Sequence, residues 1–235
     1  MSHISQEFDQ FAHNYRENLD KSLSLSGESS AYFAELKARK LAEWFPHLAT
    51  KKISILDFGC GDGMMAGFLP RYFANAQIHG ADPSPKSIEI AQKNYPEFNF
   101  LINSETTTSL DYSDDRFDIV YSAGTFHHIP FEMHQGYINE IYRILKPDGI
   151  FILFELNPLN PLTMRTFKNN PIDKNAKMLT PWYSYRLLKK YGKAHINFYC
   201  FFPRMLARLR FSEKFLTKLP LGALYAAIMQ REEGI

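Results

Sequence analysis

The sequence predicts a doubly wound α/β fold, and three observations support that prediction. An apolar run, Ile53 to Phe58, leads directly into glycines at alternate positions, as a buried strand does before a tight turn. A second apolar run ends in the acid Asp82. Further strand-like runs then alternate with helical patterns along the rest of the chain. In such folds ligands bind at the carboxyl ends of the strands, so residues that follow each strand are candidate site residues.

The turn Gly59-Cys60-Gly61-Asp62-Gly63 is suited to a ligand that approaches the backbone closely. Gly59 permits a sharp turn, and Gly61 leaves room for the ligand. We predict that a helix follows over Met64 to Phe73, with free N–H groups that favour polar or anionic groups. The spacing is not that of the dinucleotide-binding turn, whose third glycine would fall at Met64. Unrelated doubly wound proteins also use glycine-rich turns, so the turn alone leaves the ligand open.

Asp82 stands where nucleotide-binding folds place an acid. It ends the second predicted strand and falls 19 residues after Gly63. A carboxylate at this point can accept hydrogen bonds from both hydroxyls of a ribose. The alternative is a helix-capping role, since Pro83, Ser84 and Pro85 begin a predicted helix that runs to Asn94.

Three elements resemble one known family. The segment Asp57 to Gly63 resembles the first motif of class I S-adenosylmethionine-dependent methyltransferases, in which an acid precedes the same glycine pattern. Phe117-Asp118 resembles the family's fourth motif, and Arg143 to Gly149 (R-I-L-K-P-D-G) resembles its L-K-P-G-G element. The resemblance implies a Rossmann-like, doubly wound, seven-stranded, mostly parallel sheet and S-adenosylmethionine as cofactor. The N-P-x-N-P segment from Asn157 resembles a subgroup that acts on small molecules or glycoconjugates.

The resemblance also implies a set of cofactor-binding residues. The family usually contacts adenine through an Asp in the loop after the third strand, whereas this chain offers Ser104, Glu105 and Thr106. The expected cofactor residues are Tyr15, Asp57, Gly59, Cys60, Gly61, Asp82, Pro83, Ser104, Glu105 and Ser122.

His127, His128 and Glu155 are the candidate catalytic residues. The two histidines follow the fourth predicted strand, so one of them is a candidate general base or substrate contact. The alternative makes one a packing residue and the other a hydrogen-bonding residue of the pocket wall. Glu155 ends the fifth predicted strand, where a buried acid serves either the substrate or the fold. We expect no metal, because no third ligand stands at suitable spacing.

The predicted domain organisation has three parts. Residues 1–50 form a helical cap in which Tyr15, Tyr32 and Lys37 are site candidates, although a helix aromatic often belongs to the core. Residues 51–235 form the cofactor-binding domain. Within it, residues 159–195 form an insertion that we interpret as a lid over the substrate.

Composition excludes several classes of protein. The chain of 235 residues has a net charge of +2, which does not by itself indicate nucleic-acid binding, and its two cysteines suggest no disulfide framework. No signal peptide is recognisable and no apolar run reaches ~18 residues, so we predict a cytoplasmic protein without a transmembrane segment. Residues 186–218 hold nine basic residues against one acid, interleaved with phenylalanines. This basic region fits an anionic lipid head group (peripheral membrane contact), a nucleotide-linked sugar, RNA, or simply a solvated helix face.

The predicted function is methyl transfer to a small-molecule or glycoconjugate acceptor, at oxygen. The sequence after the fourth strand, Ser122 to Thr125, lacks the Asn/Asp-Pro-Pro-aromatic pattern of enzymes that methylate amino groups of nucleic-acid bases, so nucleic acid is not the expected acceptor. The alternatives are an RNA or lipid-head-group methyltransferase that uses the basic region, and a catalytically silent cofactor-binding domain. The glycine spacing and Asp57 argue against hydride transfer.

Overall fold

In the computed structural model, residues 4–232 are described, and they contain one sheet with helices on both faces. The sheet has seven strands in the order β3-β2-β1-β4-β5-β7-β6. The strands are β1 (Ser54–Phe58), β2 (Gln77–Asp82), β3 (Asn99–Ile102), β4 (Phe117–Ala123), β5 (Leu145–Leu156), β6 (Gly192–Tyr199) and β7 (Leu224–Arg231). The helices are α1 (Ile4–Phe11), α2 (Tyr15–Ser22), α3 (Ser30–Trp44), α4 (Pro85–Asn94), α5 (Phe131–Ile144), α6 (Pro161–Asn169), α7 (Pro181–Leu188) and α8 (Glu213–Leu216).

The sheet is parallel except at β7, which confirms the predicted doubly wound fold. β1 pairs in parallel with both β2 and β4, and all five of its residues are buried. Burial on both faces explains why the central strands are continuous apolar runs rather than alternating ones. β7 lies antiparallel between β5 and β6, with Leu224 opposite both Leu156 and Tyr199. The carboxyl ends of β5 and β6 therefore lie at the same edge as the end of β1.

Two apolar layers hold the helices against the sheet. On one face Leu41 of α3 packs with Ile55 and Tyr121, and on the other Ile141 of α5 packs with Phe151. All five side chains are fully buried. Burying one such apolar side chain stabilises the fold by about 1.5–3 kcal/mol relative to leaving it exposed. This packing holds the strands that carry the site in fixed positions.

The helix starts follow from ordinary caps. The hydroxyl of Ser29 accepts the N–H of Tyr32 at 3.2 Å, and α3 begins at the next residue. The hydroxyl of Ser84 accepts the N–H of Ser87 at 3.1 Å and caps α4, whose first residue is Pro85. A proline is tolerated there because the first N–H of a helix has no acceptor in the helix. α4, which ends at Asn94, agrees with the sequence prediction, and α3 lies within the predicted helical cap.

The predicted helix over Met64 to Phe73 is wrong. Turns and a short 3₁₀ helix, Ala66–Arg71, occupy this stretch. Pro70 lies inside it and cannot donate the hydrogen bond that an α-helix would require. Gly67 is also poor for a helix, and its place is set by packing, since a Cβ there would lie 2.4 Å from the Tyr95 ring.

Residues 204–216, between β6 and β7, are not one continuous α-helix. They consist of 3₁₀ turns over Arg204–Ser212, with a kink at Leu206, followed by the one-turn helix α8. None of the residues Arg204–Ser212 is buried, so no packing face holds them in a regular helix. No helix in residues 4–232 is both long enough and apolar enough to cross a membrane.

Candidate active site

A cleft opens at the carboxyl edge of the sheet, where the predicted fold places its ligand. It contains about 780 Å³ of space free of atoms, including solvent at its mouth. Its walls come from the ends of β1 to β4, from the first turn of α4, from α1 and α2, and from Tyr137 of α5. The lining residues are Phe8, Ala12, Tyr15, Phe58, Gly59, Gly61, Asp62, Asp82, Pro83, Ser87, Asn103, Glu105, Ala123, Gly124, Thr125, His128, Ile129 and Tyr137.

The glycine turn forms the floor of the cleft. Gly59 and Gly61 adopt φ values of +78° and +52°, which side chains rarely tolerate. A Cβ at Gly59 would lie 2.2 Å from the hydroxyl oxygen of Thr125, so glycine is required there for packing. A Cβ at Gly61 would meet no protein atom within 4 Å. The space above Gly61 is thus free of protein atoms.

Asp82 lies beside this floor and is held by the backbone. Its Oδ2 accepts the N–H of Gly61 and its Oδ1 accepts the N–H of Ser84, each at 2.9 Å. Burial raises the pKa of Asp82 to about 6, and the two backbone N–H groups oppose that rise. Each carboxylate oxygen keeps a further lone pair, so the group can accept two hydroxyl donors from a ligand in the cleft.

Asn103 is a site residue that the sequence reasoning missed. It follows β3, is buried and lines the cleft. Within the described part of the chain, its side-chain oxygen has no hydrogen-bond partner. A buried amide oxygen without a partner is costly, so a ligand amino group that reached it would be bound well. The apolar run Phe98 to Ile102 is the sequence signal that places Asn103 at the end of a strand, beside the cleft.

The first two helices cover the cleft and are fastened to its walls by polar contacts. The backbone N–H and hydroxyl of Ser5 donate to the Glu105 carboxylate at 2.7 and 3.0 Å. The Asp9 carboxylate accepts the hydroxyl of Ser84 at 2.6 Å. Arg16 pairs with Asp62 at 2.5 Å. Tyr15 lies between these contacts and lines the cleft, and its pKa is raised by burial and then by nearby carboxylates.

Four of the predicted cofactor residues lie outside the cleft lining. Asp57 is buried behind the glycine turn, where it accepts the hydroxyl of Tyr121 at 2.8 Å, and burial raises its pKa to about 7. The Cys60 thiol faces inward near Gly80. Ser122 is fully buried, while Ala123 and Gly124, which follow it, line the cleft. Ser104 is exposed and bonds Thr106.

The other six predicted cofactor residues line the cleft together: Tyr15, Gly59, Gly61, Asp82, Pro83 and Glu105. Two further candidates from α3 do not reach it. Tyr32 stacks under the guanidinium of Arg210, 5.0 Å from the ring centre. Lys37 lies near Glu155 and Asp57, and burial lowers its pKa.

The three predicted catalytic residues form one cluster with a fourth residue. Nδ1 of His127 lies 2.6 Å from Oε2 of Glu155. Oδ1 of Asp173 lies 3.5 Å from Nε2 of His127 and 3.4 Å from Nε2 of His128. Asp173 belongs to the short 3₁₀ turn Pro171–Asp173 in the insertion, which no pattern in the sequence connected to the histidines. Of this cluster only His128 lines the cleft, with its ring against Phe8 at 4.9 Å.

The two histidines differ in charge. Burial alone would lower the pKa of His127, but the Glu155 charge and hydrogen bonds to both carboxylates outweigh it and raise the pKa to about 10. Burial and the charge of His127 lower the pKa of His128 below its usual value, against the pull of Asp173. At neutral pH His127 is therefore a cation and His128 is neutral. Only a neutral imidazole can accept a proton.

A metal ion has one group of potential ligands in the described residues. The donor atoms of His127, His128 and Asp173 all lie within 4.8 Å of one another. The sequence offered no third ligand near the histidine pair, and the fold supplies Asp173 from the insertion. A metal ion would have to displace the proton of His127, whose pKa is raised to about 10, so binding is disfavoured at neutral pH.

These features define a class of protein, a doubly wound domain that binds a nucleoside-containing cofactor. They are the strand order with its antiparallel β7, the glycine turn in the cleft, and Asp82 at the position of an acid that binds a ribose. Comparison with known proteins agrees with the resemblance. Residues 56–153 match a family described as "Methyltransferase domain". This match, and the solved structures of S-adenosylmethionine-dependent methyltransferases that share the fold, support a class I methyltransferase domain with S-adenosylmethionine as its cofactor.

Three similar proteins show which kinds of methyltransferase this chain is similar to. A demethylmenaquinone methyltransferase from Chlorobaculum parvum is 30% identical over 168 residues, which cover 71% of this chain and 65% of the relative. A ubiquinone biosynthesis O-methyltransferase from Cereibacter sphaeroides is 28% identical over 153 residues, 60% of each chain. A solved structure from Thermotoga maritima, described as a possible histamine N-methyltransferase, aligns with a TM-score of 0.69 at 20% identity, over 98% of this chain and 100% of the other.

The chain spans between 45% and 65% of the length of these and similar curated relatives. The structural neighbours, all below 25% identity here, share the fold.

Proposed function

We propose that this protein transfers the methyl group of S-adenosylmethionine to a small-molecule acceptor, at a hydroxyl oxygen. The observation that carries the proposal is the neutral His128 in the wall of a cleft whose floor is the glycine turn. A base and a cofactor cradle therefore face the same space. When bound, the cofactor supplies a methyl group that its sulfonium already activates.

The residues present fit the cofactor. The open space at Gly61 admits a ligand close to the backbone, and Asp82 offers acceptors for ribose hydroxyls. The unpartnered side-chain oxygen of Asn103 suits the exocyclic amino group of adenine. Two further lining residues belong to the proposed cofactor site: Tyr15 in the helical cap, and Glu105 in the loop that follows β3, near the proposed adenine position. Asp57, Cys60 and Ser122 support the turn from behind, in this proposal, rather than touching the ligand.

Positioning supplies most of the catalysis of such a reaction, and a base is needed where the acceptor must lose a proton. Nδ1 of His128 is the atom proposed to take the proton from the acceptor hydroxyl, because Nε2 faces the Asp173 carboxylate at 3.4 Å and donates its own proton to it. His127 cannot do so because it is already protonated at neutral pH. Burial and the charge of His127 keep His128 neutral, and Glu155 and Asp173 hold His127 in place. Those three residues are therefore proposed to act through His128.

The acceptor class rests on the cleft and on the relatives. Phe8, Phe58 and Tyr137 give the cleft apolar, aromatic walls, which suit a flat ring better than a sugar. The names of two relatives refer to ubiquinone and to demethylmenaquinone, whose rings have this character. We therefore favour a hydroxylated aromatic ring of the quinol type. A glycoconjugate acceptor remains the alternative from the N-P-x-N-P segment.

The domain organisation is part of the proposal. Residues 1–50 act as a cap that closes the cofactor cleft, residues 51–235 as the catalytic domain, and residues 159–195 as the insertion that brings Asp173 to the histidines. A cytoplasmic location stays a prediction.

The test is transfer of labelled methyl from S-adenosylmethionine to hydroxylated quinols and to fractions of a cell extract. His128→Ala should lower the turnover by about 10²–10⁴-fold while the affinity for the cofactor changes little. The exposed His195 of β6 gives the control, and His195→Ala should leave turnover unchanged. Equal turnover in His128→Ala and the unsubstituted protein would rule out the base. Cofactor binding without transfer to any fraction would indicate a silent binding domain.

A further inference from the structure

One surface of the molecule exposes large apolar side chains that the proposed reaction does not use. We name it the 204–221 face, after the residues between β6 and β7 that form it. Met205, Phe211, Phe215 and Leu221 are exposed by 95%, 73%, 76% and 63%. Soluble monomers rarely expose so many large apolar groups together, and such a patch indicates an interaction site.

The exposure is a property of an ordered segment. The Glu213 carboxylate is buried and accepts the backbone N–H groups of Cys200, Phe201 and Phe202 at 3.0–3.2 Å. Arg210 pairs with Glu28 at 3.0 Å and thereby ties the segment to the loop before α3. These contacts fix the backbone of the segment, yet none of the residues Arg204–Ser212 is buried. The fold thus holds the apolar side chains in solvent.

The charge of this face is of one sign. Residues 200–223 contain five basic residues and a single acid, Glu213, whose carboxylate points inward. Arg204, Arg208 and Lys214 are exposed beside the apolar groups. Exposed cations that surround exposed apolar side chains are complementary to a surface with an anionic layer over an apolar interior.

The face lies at the edge of the sheet where the cleft opens. β6 ends at Tyr199 and β7 begins at Leu224, opposite the end of β5, so residues 200–223 join the strands at the carboxyl edge. The side chain of Asn160 donates to the carbonyl of Leu221 at 2.8 Å, which places the start of α6 against the face. Leu162, in that first turn, is exposed as well.

The insertion also connects the face to the site. Phe167 of α6 has its ring 6.0 Å from that of His127. α6 therefore contacts the 204–221 face at its start and the catalytic cluster near its end, so a partner bound to this face would lie close to the catalytic cluster.

We propose that the 204–221 face docks on the surface of a lipid bilayer that contains anionic lipids. Phe211, Phe215 and Met205 enter the boundary between head groups and acyl chains, and the surrounding arginines and lysines contact lipid phosphates. The inference deepens the proposed function and rests on it: the acceptor is a ring compound that resides in the membrane. RNA fits this face less well, since phosphate binding gives no reason to expose Met205 and Leu221.

The test is co-sedimentation of the full chain with vesicles of phosphatidylcholine alone and of phosphatidylcholine mixed with phosphatidylglycerol. Binding should occur to the mixed vesicles and be far weaker to the neutral ones. Each cation at an anionic surface contributes roughly fivefold, so Arg208→Glu with Lys214→Glu should weaken binding by more than about 30-fold. Phe211→Ser with Phe215→Ser should weaken it by at least about tenfold.

The chain offers matched controls. Lys51→Glu with Lys52→Glu makes the same change in net charge at two exposed residues before β1, at the opposite edge of the sheet. Ile102→Ser removes an exposed apolar side chain, 55% exposed, from the strand farthest from β6. Both control proteins should bind mixed vesicles like the unsubstituted chain.

Three results would overturn the proposal. The first is absence of binding to the mixed vesicles, and the second is an equal loss in the Lys51/Lys52 control, which would indicate attraction by net charge alone. The third is a loss with the charge reversals but none with the phenylalanine substitutions, which would indicate a polyanion such as RNA. Calorimetry with S-adenosylmethionine on each variant shows whether it is folded. A chain that binds vesicles but not S-adenosylmethionine would contradict the proposed function and leave the docking result intact.

Discussion

The division of charge between His127 and His128 can be tested by replacing Asp173, whose Oδ1 lies 3.5 and 3.4 Å from the two imidazole rings. Asp173→Asn keeps the size of the side chain and removes one of the two carboxylates that hold His127 charged. We expect the pKa of His127 to fall from about 10 and that of His128 to stay below its usual value.

The size of the fall follows from the geometry. A carboxylate within about 4–6 Å shifts a pKa by about 1–3 units, which corresponds to about 1.4–4 kcal/mol. Glu155 remains at 2.6 Å, so His127 should still titrate above the usual value for histidine. Because its folded-state pKa is raised, His127 stabilises the fold fully below about pH 6.5 and loses that contribution as the pH rises through about 10. The free energy of unfolding should fall over that window, and by less in Asp173→Asn.

The assay is an NMR titration of ¹⁵N-labelled histidines, which needs no acceptor. Asp114→Asn, at an exposed carboxylate paired with Arg143, is the control and should leave both titrations in place. If both histidines titrate together near the usual value, or His128 titrates above His127, the reasoning about the base is refuted.

Three further predictions concern the cofactor site and the histidine cluster beside it. Asp82→Asn should weaken S-adenosylmethionine binding by roughly 1.5–3 kcal/mol for each ribose hydroxyl bond lost. Binding to the unsubstituted chain should decline below about pH 6, where Asp82 becomes protonated; Asp118→Asn, at the other edge of the sheet, is the calorimetric control. Gly61→Ala should fold yet lose binding, because the new methyl group fills the open cradle, whereas Gly59→Ala should fail to fold, because its Cβ meets Thr125; circular dichroism and calorimetry separate the two. A chelator should leave transfer unchanged, because a metal ion would have to displace the proton of His127; loss of activity restored by a divalent ion would show otherwise.

Local patterns were enough to predict the frame of the fold. The apolar runs of β1 and β2, the glycine turn and the start of α4 at Pro85 each depend on a few neighbouring residues, so they can be predicted directly from the sequence. The helix expected after the turn was wrong because packing against Tyr95 requires a glycine at Gly67, and Pro70 removes a hydrogen bond.

The site was less predictable because its residues meet across long distances in the chain. Asp173 reaches the histidines through a turn in the insertion, and Ser5 reaches Glu105 from the first helix. Asn103 was missed because its importance lies in an oxygen without a partner, which only the packed structure reveals. The two histidines looked equivalent in sequence, and burial beside Glu155 makes them different.

The most direct test of the central claim is calorimetric titration of the unsubstituted chain with S-adenosylmethionine. The account predicts saturable binding at one site per chain, with a dissociation constant in the micromolar range, that weakens in Asp82→Asn and not in Asp118→Asn. Absence of binding at millimolar S-adenosylmethionine by a folded chain would contradict it.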